Sequence, residues 1–282
     1  MNLIDRLKAP ANFTFNEQLI IQYLLAHPED AANMSIYELA KQTSSSTSTI
    51  VRLCKKCGLT GFKTFKVIFA RDLERYYQQI DHIDANTPFE QNDSDLIIAK
   101  KIAQLTTETV NFAQSSLSSK VLNQATSILL KASKVYDIGV SDNFIRLRDL
   151  QLKLLRIGFS LQMVDLQAEQ YHLALNSKPT EAALLVSYSG QTAEVVNDAK
   201  TFYQNGTAIL AITGNEASPL AKYATETILL PQREHAQYQV SNFSSQLAVE
   251  YLLNVLYSCI FNRNFEKNYV GQQPTPISKF EF

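Results

Sequence analysis

Apolar residues recur at helical spacing through the first part of the chain. Leu19, Ile20, Tyr23 and Leu24 mark one amphipathic helix, and Pro28 follows as a stop. Ser35-Ile36-Tyr37-Glu38 has the spacing of a capping box, in which Ser35 and Glu38 satisfy each other's orphan backbone N–H groups. Ile36, Leu39 and Ala40 then share a face. Residues Thr43 to Ser46 form a polar turn, and a third helix is predicted from about Thr47 to Cys57. Its Ile50, Leu53, Cys54 and Cys57 fall at i, i+3, i+4 and i+7, a stripe that buries against the earlier helices. Gly58 ends it. A further helix opens near Gly61, with Phe62, Phe65 and Phe69 on its core face.

The pattern changes after Tyr76. Residues 76–95 are polar and acidic with a break at Pro88, as expected of a connector. Leu96 to Ala132 reads as helical, with Ile98, Ile102, Leu105 and Val110 on one face. Short apolar runs then alternate with helix-length segments. Val135–Ile138, Leu161–Val164, Ala182–Val186, Ala208–Ile212 and Thr227–Leu230 read as strands, and Asn242–Phe261 as a long helix apolar on much of its circumference. Strands alternating with helices imply a parallel sheet covered on both faces. The expected organisation is an all-α helix–turn–helix domain (1–77), a linker with a connecting helix (78–120), an α/β domain with a five-stranded parallel sheet flanked by helices (121–265), and a tail (266–282).

Charge sharpens this division. The chain carries 26 Lys+Arg against 27 Asp+Glu, yet residues 41–71 hold Lys41, Arg52, Lys55, Lys56, Lys63, Lys66 and Arg71 and no acid. A basic helical unit on a neutral body has the make-up of a nucleic-acid reader carried by a second domain. Ser46, Thr47, Ser48 and Thr49 lie at the start of the third helix, where base edges and phosphates approach a recognition helix. Arg52, Lys55 and Lys56 lie further along it, where long cations reach the backbone or guanine, and Lys63 and Lys66 lie outside the following helix. The alternative is a solvated basic surface.

Other classes are constrained by composition. Three cysteines, an odd and low count, do not make a disulfide scaffold and fit a reducing compartment. Cys54-Lys55-Lys56-Cys57 is a C-x-x-C, open to zinc or redox readings. Its cysteines occupy the apolar stripe, however, and the four histidines are scattered, so core packing is expected, with no metal and no cofactor. No secretory leader is legible, and no apolar run approaches the ~20 residues of a bilayer span. The expected location is the cytoplasm, without membrane contact.

The second domain has one loop that carries chemistry. Ser187-Tyr188-Ser189-Gly190-Gln191-Thr192 joins the third strand to a helix starting near Ala193. Hydroxyls, backbone N–H groups and a helix N-terminus converge there on an anion. Without a P-loop lysine, a monophosphate fits better than a nucleotide triphosphate; plain Ser/Thr capping is the alternative. The loop after the first strand, with Ser141, Asp142 and Asn143, lies next to it, and Glu234 after the fifth strand points into the same crevice or into solvent. Ser218-Pro219 reads as a structural N-cap with Pro at N1.

These pieces resemble the RpiR family of bacterial transcriptional regulators over nearly the whole length. The segment from Ser46 to Lys66 is similar to that family's S-x-x-T-x-x-R-x-C-K-K-x-G-x-x-G-F-x-x-F pattern. The second domain resembles the sugar isomerase (SIS) domain at Lys153–Gly158, Ser187–Val195, Ile212-Thr213 and Ser218–Ala221. The resemblance implies a DNA-binding regulator of carbohydrate metabolism, a homodimer or homotetramer on a double-stranded DNA operator, with a sugar-phosphate effector and no catalytic residues. It places phosphate on Ser187, Ser189, Gln191 and Thr192, with support from the first loop. The sequence departs there: the family's G-x-G-x-S has Ser141 for its second glycine and Asn143 for its serine, and Asp142 adds a negative charge. Gln167 stands where many members have histidine. Two rivals remain. One is a SIS-class isomerase or lyase using Glu234 or Glu194 as base with His172 or His235 assisting. The other is a regulator whose SIS domain only oligomerises.

Overall fold

The computed structural model describes residues 3–9, 13–78, 82–91, 93–235 and 238–270. Two compact units divide between Leu105 and Thr106.

The first unit is helical: α1 (Leu3–Lys8), α2 (Phe15–Ala26), α3 (Pro28–Asn33), α4 (Ile36–Gln42), α5 (Thr47–Lys56) and α6 (Phe62–Gln78). Pro28 both stops α2 and starts α3, because its fixed φ and missing N–H suit the first turn of a helix. Ser35 and Glu38 form the expected capping box, with the Ser35 amide donating to Glu38 Oε2 at 2.6 Å. Ile50, Leu53, Cys54 and Cys57 are all buried against Ile20, Leu24, Leu39, Phe65 and Phe69. Gly58 terminates α5 with φ +76°, a left-handed conformation that glycine takes without strain.

The expected single helical stretch from Leu96 to Ala132 is two helices, α7 (Asp95–Ser115) and α8 (Ser119–Lys131). Ser118 caps α8 by accepting from the Val121 amide at 3.3 Å, and that N-cap breaks the run. Of the expected stripe Leu105 is buried as read, while Ile98, Ile102 and Val110 lie one residue past the buried positions. The buried positions of α7 are Ile97, Lys101, Leu105, Thr109 and Ala113. Two of these are polar, which hid the stripe from an apolar-only count. Lys101 is buried because its ammonium meets Asp93 at 2.6 Å, and Thr109 because its hydroxyl meets that of Ser244 at 2.9 Å. The unit boundary falls inside α7, so the segment 78–120 is divided between the units.

The second unit adds β1 (Val135–Ile138), α9 (Asp142–Leu155), β2 (Leu161–Gln162), α10 (Gln170–Leu175), β3 (Ala182–Val186), α11 (Ala193–Gln204), β4 (Ala208–Thr213), β5 (Glu226–Leu229), α12 (Phe243–Arg263) and α13 (Phe265–Val270). All five strands are parallel, in the order β2-β1-β3-β4-β5. Alternate strand residues enter two cores. Val135, Leu184, Val186, Leu210 and Ile212 face α8, α9 and α12, while Tyr136, Ile138, Leu185, Ile209 and Ala211 face α10 and α11. The strand runs read from sequence are therefore continuous because both faces are covered. β2 is shorter than expected, pairing only Leu161 and Gln162 with β1. The expected tail at 266–282 begins as α13, and its remainder, 271–282, lies outside the described residues. Strand order reverses direction between β1 and β3, so the loops leaving those strands part and open a crevice at their carboxyl ends.

Candidate functional site

Two sites stand on these frames. In the first unit, α4, a turn and α5 form a helix–turn–helix. The turn is built from hydroxyls: Thr43 Oγ1 donates to the Leu39 carbonyl at 2.8 Å and bonds Ser45 Oγ at 2.8 Å. Ser46 is the N-cap of α5, accepting from the Thr49 amide at 3.2 Å and bonding the hydroxyls of Ser48 and Thr49. Ser48, Arg52, Lys55 and Lys63 are exposed, and Thr47 and Thr49 are half-buried at the start of the helix. Lys66 donates to the carbonyl of Asn33 at the end of α3, 2.8 Å away.

The absence of acid in residues 41–71 does not survive folding. Glu17 of α2, fully buried, reaches the basic face: Oε1 meets Arg52 Nε at 3.0 Å and Oε2 meets Lys56 Nζ at 2.7 Å. Burial pushes this carboxyl up, but Lys56, the Thr14 amide and Arg52 outweigh it and hold it at about 2. Glu17 thus orients Arg52 and Lys56 while subtracting one charge from the face. Sequence reasoning missed it because Glu17 is 35 residues from Arg52. Burial pushes the Cys54 thiol up to about 12 and the Cys57 thiol in the same direction, which suppresses thiolate chemistry. Among the described residues no group of three or more His, Cys, Asp or Glu could hold a metal ion, and no helix is long and apolar enough to cross a membrane.

In the second unit a cleft of about 660 Å³ opens at the carboxyl ends of β1, β3 and β5. Ser141, Asn143, Ser189, Gln191, Thr192 and Glu234 line it. Ser187 and Gly190 lie beneath, building the loop. Ser187 Oγ accepts from the Gly190 amide at 3.2 Å and bonds Thr192 Oγ1 at 2.9 Å, and Ser189 Oγ accepts from the Gln191 amide at 3.2 Å. Thr192 is the N-cap of α11, and its side chain makes no capping bond to the first turn. Hydroxyls and the positive end of the α11 dipole therefore meet at one wall. Ser218 is not the expected N-cap with Pro219 at N1, since the short 3-10 turn there spans Ala221–Tyr223 and is capped at Leu220; Ser218 Oγ accepts the Ala221 amide at 3.2 Å and packs against Gly190.

The opposite wall is held by α12. Asp142 Oδ2 accepts from Asn242 Nδ2 at 2.7 Å, and Asn143 Oδ1 from Gln246 Nε2 at 3.2 Å. Part of the Asp142 charge is thereby turned to a partner within the wall. Glu234 is buried and caps α12: its two oxygens accept the amides of Ser244 and Ser245. Glu194 and His172 lie outside this cleft, whereas His235 lines it. Two glutamines hold the first loop: Gln170, which sequence alone did not single out, and Gln167, noted there only as a departure from the family pattern. Gln170 clamps Gly139 through both its backbone groups, at 3.0 and 3.3 Å, and Gln167 accepts from the Ser141 amide at 3.3 Å.

Ser141 itself sits at φ +54°, a left-handed conformation that favours glycine, and it is the position where the family pattern has its second glycine. Ser141→Gly is expected to raise stability by about 0.5–1 kcal/mol, the relief of strain less the greater freedom of glycine in the unfolded chain. Urea denaturation of both proteins decides it, and a lower midpoint for the variant would exclude strain at this residue.

Comparison with known proteins finds a match for each of the two domains. A model of the helix–turn–helix domain of the rpiR family matches residues 1–76, and a SIS domain model matches residues 128–256. An uncharacterized HTH-type transcriptional regulator of Haemophilus influenzae is 27% identical over 253 residues, covering 88% of this chain and 86% of that protein. The HTH-type transcriptional regulator HexR of Escherichia coli is 24% identical over 231 residues, covering 82% of this chain and 78% of HexR. The structure of the Vibrio vulnificus NanR protein complexed with ManNAc-6P shares the fold with a TM-score of 0.58, at 24% identity over 96% of each chain. The chain thus carries a helix–turn–helix domain of the rpiR family followed by a SIS domain, the make-up of a transcriptional regulator.

Proposed function

We propose that this regulator reads duplex DNA with α5 and senses a phosphorylated sugar in the cleft above β1 and β3. The observation that carries the effector reading is the junction of β3 and α11. There Ser189, Gln191 and Thr192 line the cleft beside a helix N-terminus, a site for a monophosphate. NanR, which shares the fold, was solved with a sugar phosphate, which supports the same ligand class here. Ser187 and Gly190 shape the phosphate loop, Ser141 and Asn143 face the sugar, and Glu234 holds the far wall. In the reader, residues 1–77, Ser48, Thr49 and Arg52 lie nearest the bases, with Ser46 and Thr47 presenting the start of α5. Lys55, Lys56, Lys63 and Lys66 hold phosphates. The assembly is a homodimer or homotetramer on an inverted repeat. The SIS domain works as a sensor and not as an isomerase: Glu234, the carboxylate best placed for base chemistry, has both oxygens bound to α12 amides.

Fluorescence anisotropy on duplex DNA from the region upstream of the gene, against a scrambled duplex and at two salt concentrations, tests the reader. Binding should be selective and fall steeply with salt, and Arg52→Ala should cost about 1–3 kcal/mol. Undiminished affinity in Arg52→Ala would exclude α5 as the reading helix. A panel of hexose and N-acetylhexosamine 6-phosphates tests the sensor. One of them should shift DNA affinity by about 1–3 kcal/mol. A sugar phosphate that binds without that shift would leave the SIS domain an oligomerisation module.

A further inference from the structure

The far wall of the cleft is tied to a helix that the effector reading does not use. The Tyr188 hydroxyl, next to the phosphate loop, donates to the Pro231 carbonyl at 3.0 Å and accepts the amides of Arg233 at 3.0 Å and Glu234 at 3.3 Å. The loop after β3 therefore sets the position of the loop after β5. From that second loop, Arg233 turns away from the cleft. Its Nη2 meets Glu108 Oε2 of α7 at 2.6 Å, with side-chain exposures of only 10% and 12%. Its guanidinium also lies over the Phe112 ring, 5.1 Å from the centroid. One turn of α7 is likewise tied to α12: Thr109 bonds Ser244, whose amide Glu234 accepts. Glu108, Thr109 and Phe112 thus hold the wall through both its loop and the first turn of α12.

A nearly buried ion pair is a poor choice for stability alone, because desolvation consumes most of the Coulombic gain. It does fix geometry. α7 is one uninterrupted helix, and its residues 95–105 belong to the first unit. We propose that the Arg233–Glu108 pair couples the cleft wall to α7, so that a sugar phosphate drawing in the 231–234 segment changes the affinity of the helix–turn–helix for DNA. Arg233 and Glu108 are positioning residues in this scheme, touching neither ligand. The proposal rests on the effector reading above, and its test is made independent of any sugar by reciprocity: if the cleft biases the DNA site, DNA must bias the cleft equally.

Amide hydrogen exchange is measured on the full chain, free and bound to a duplex that the protein itself has selected from a random pool. In the wild type, DNA should change the exchange of the Ser244 and Ser245 amides about fivefold or more, the lower end of ordinary allosteric coupling. Glu108→Gln should bind the same duplex with affinity within about threefold of wild type and show no such change. The charge-swapped double variant, Glu108→Arg with Arg233→Glu, should recover part of the response, which a merely structural role would not produce. An equal change in wild type and Glu108→Gln, or none in DNA-bound wild type, overturns the proposal. A panel in which no sugar phosphate binds would sink the effector reading and the sugar phosphate as trigger, while the exchange readout, which contains no sugar, still decides whether the cleft wall and the DNA site are coupled.

Discussion

Gly190→Ala is expected to cost the second unit about 3 kcal/mol and to abolish sugar-phosphate binding. Gly190 sits at φ +64°, which costs an L-residue roughly 1–2 kcal/mol. A Cβ built there would lie 2.3 Å from Ser218 Oγ, 2.4 Å from Ser218 Cβ and 2.7 Å from Thr213 Oγ1. Ser218 and Thr213 are both fully buried, so neither short side chain has room to retreat, and overpacking adds about 1–3 kcal/mol. The contact is the means by which the β3 loop lies down on the end of β4. The Gly190 carbonyl also accepts the Leu220 amide at 3.1 Å. Lifting the loop moves Ser189, Gln191 and Thr192 together, which is why ligand binding and stability should fall as one. Urea denaturation and calorimetric titration with the sugar phosphate found in the panel check this. A variant with an unchanged midpoint would mean that the close packing at Gly190 is relieved at no cost.

The second large effect is a gain. Asp137 stands in the middle of β1, fully buried, on the same side of the sheet as Val135. Neither carboxyl oxygen has a hydrogen-bond partner among the described residues. Burial pushes the carboxyl well above the usual carboxylate range. The sign follows from linkage. The folded state keeps a proton that the unfolded state gives up near pH 3.9, so stability declines as pH rises above that value until the folded group itself ionises. Asp137→Val removes the unsatisfied group, keeps the volume and suits a strand. It should stabilise by about 2 kcal/mol at neutral pH, and by more at pH 8 than at pH 5. Denaturation midpoints at the two pH values are the measurement. A loss of stability, or a gain independent of pH, would show that Asp137 is satisfied in solution.

Much of the fold was legible because it rests on short-range rules. The Ser35 capping box, the α5 stripe, the stop at Gly58 and the strand runs each depend on residues a few positions apart. The β3–α11 loop was legible for the same reason: Ser187 to Thr192 are contiguous, and a strand-to-helix turn with hydroxyls and one glycine has few other conformations. Ser141 was legible as an anomaly, a serine where the family pattern has glycine, and its positive φ gives the anomaly a physical content. The α7 register was not legible, since Lys101 and Thr109 are buried only because Asp93 and Ser244 meet them. The expected acid-free basic face failed similarly, because Glu17 arrives from another helix.

By itself, then, the sequence determined most of the longer elements, their order and the parallel sheet, because periodicity, caps and turns act within a few residues along the chain. Tertiary structure alone decided which side chains are spent on one another. Glu17 with Arg52 and Lys56, Tyr188 with the 231–234 segment, and Arg233 with Glu108 all pair across long separations, and Glu234 meets the α12 amides across a loop. Nothing local marks a charge as destined for a partner; whether it serves a ligand, a cap or an ion pair is settled only when packing brings the second group within reach and removes the water that would otherwise have solvated both.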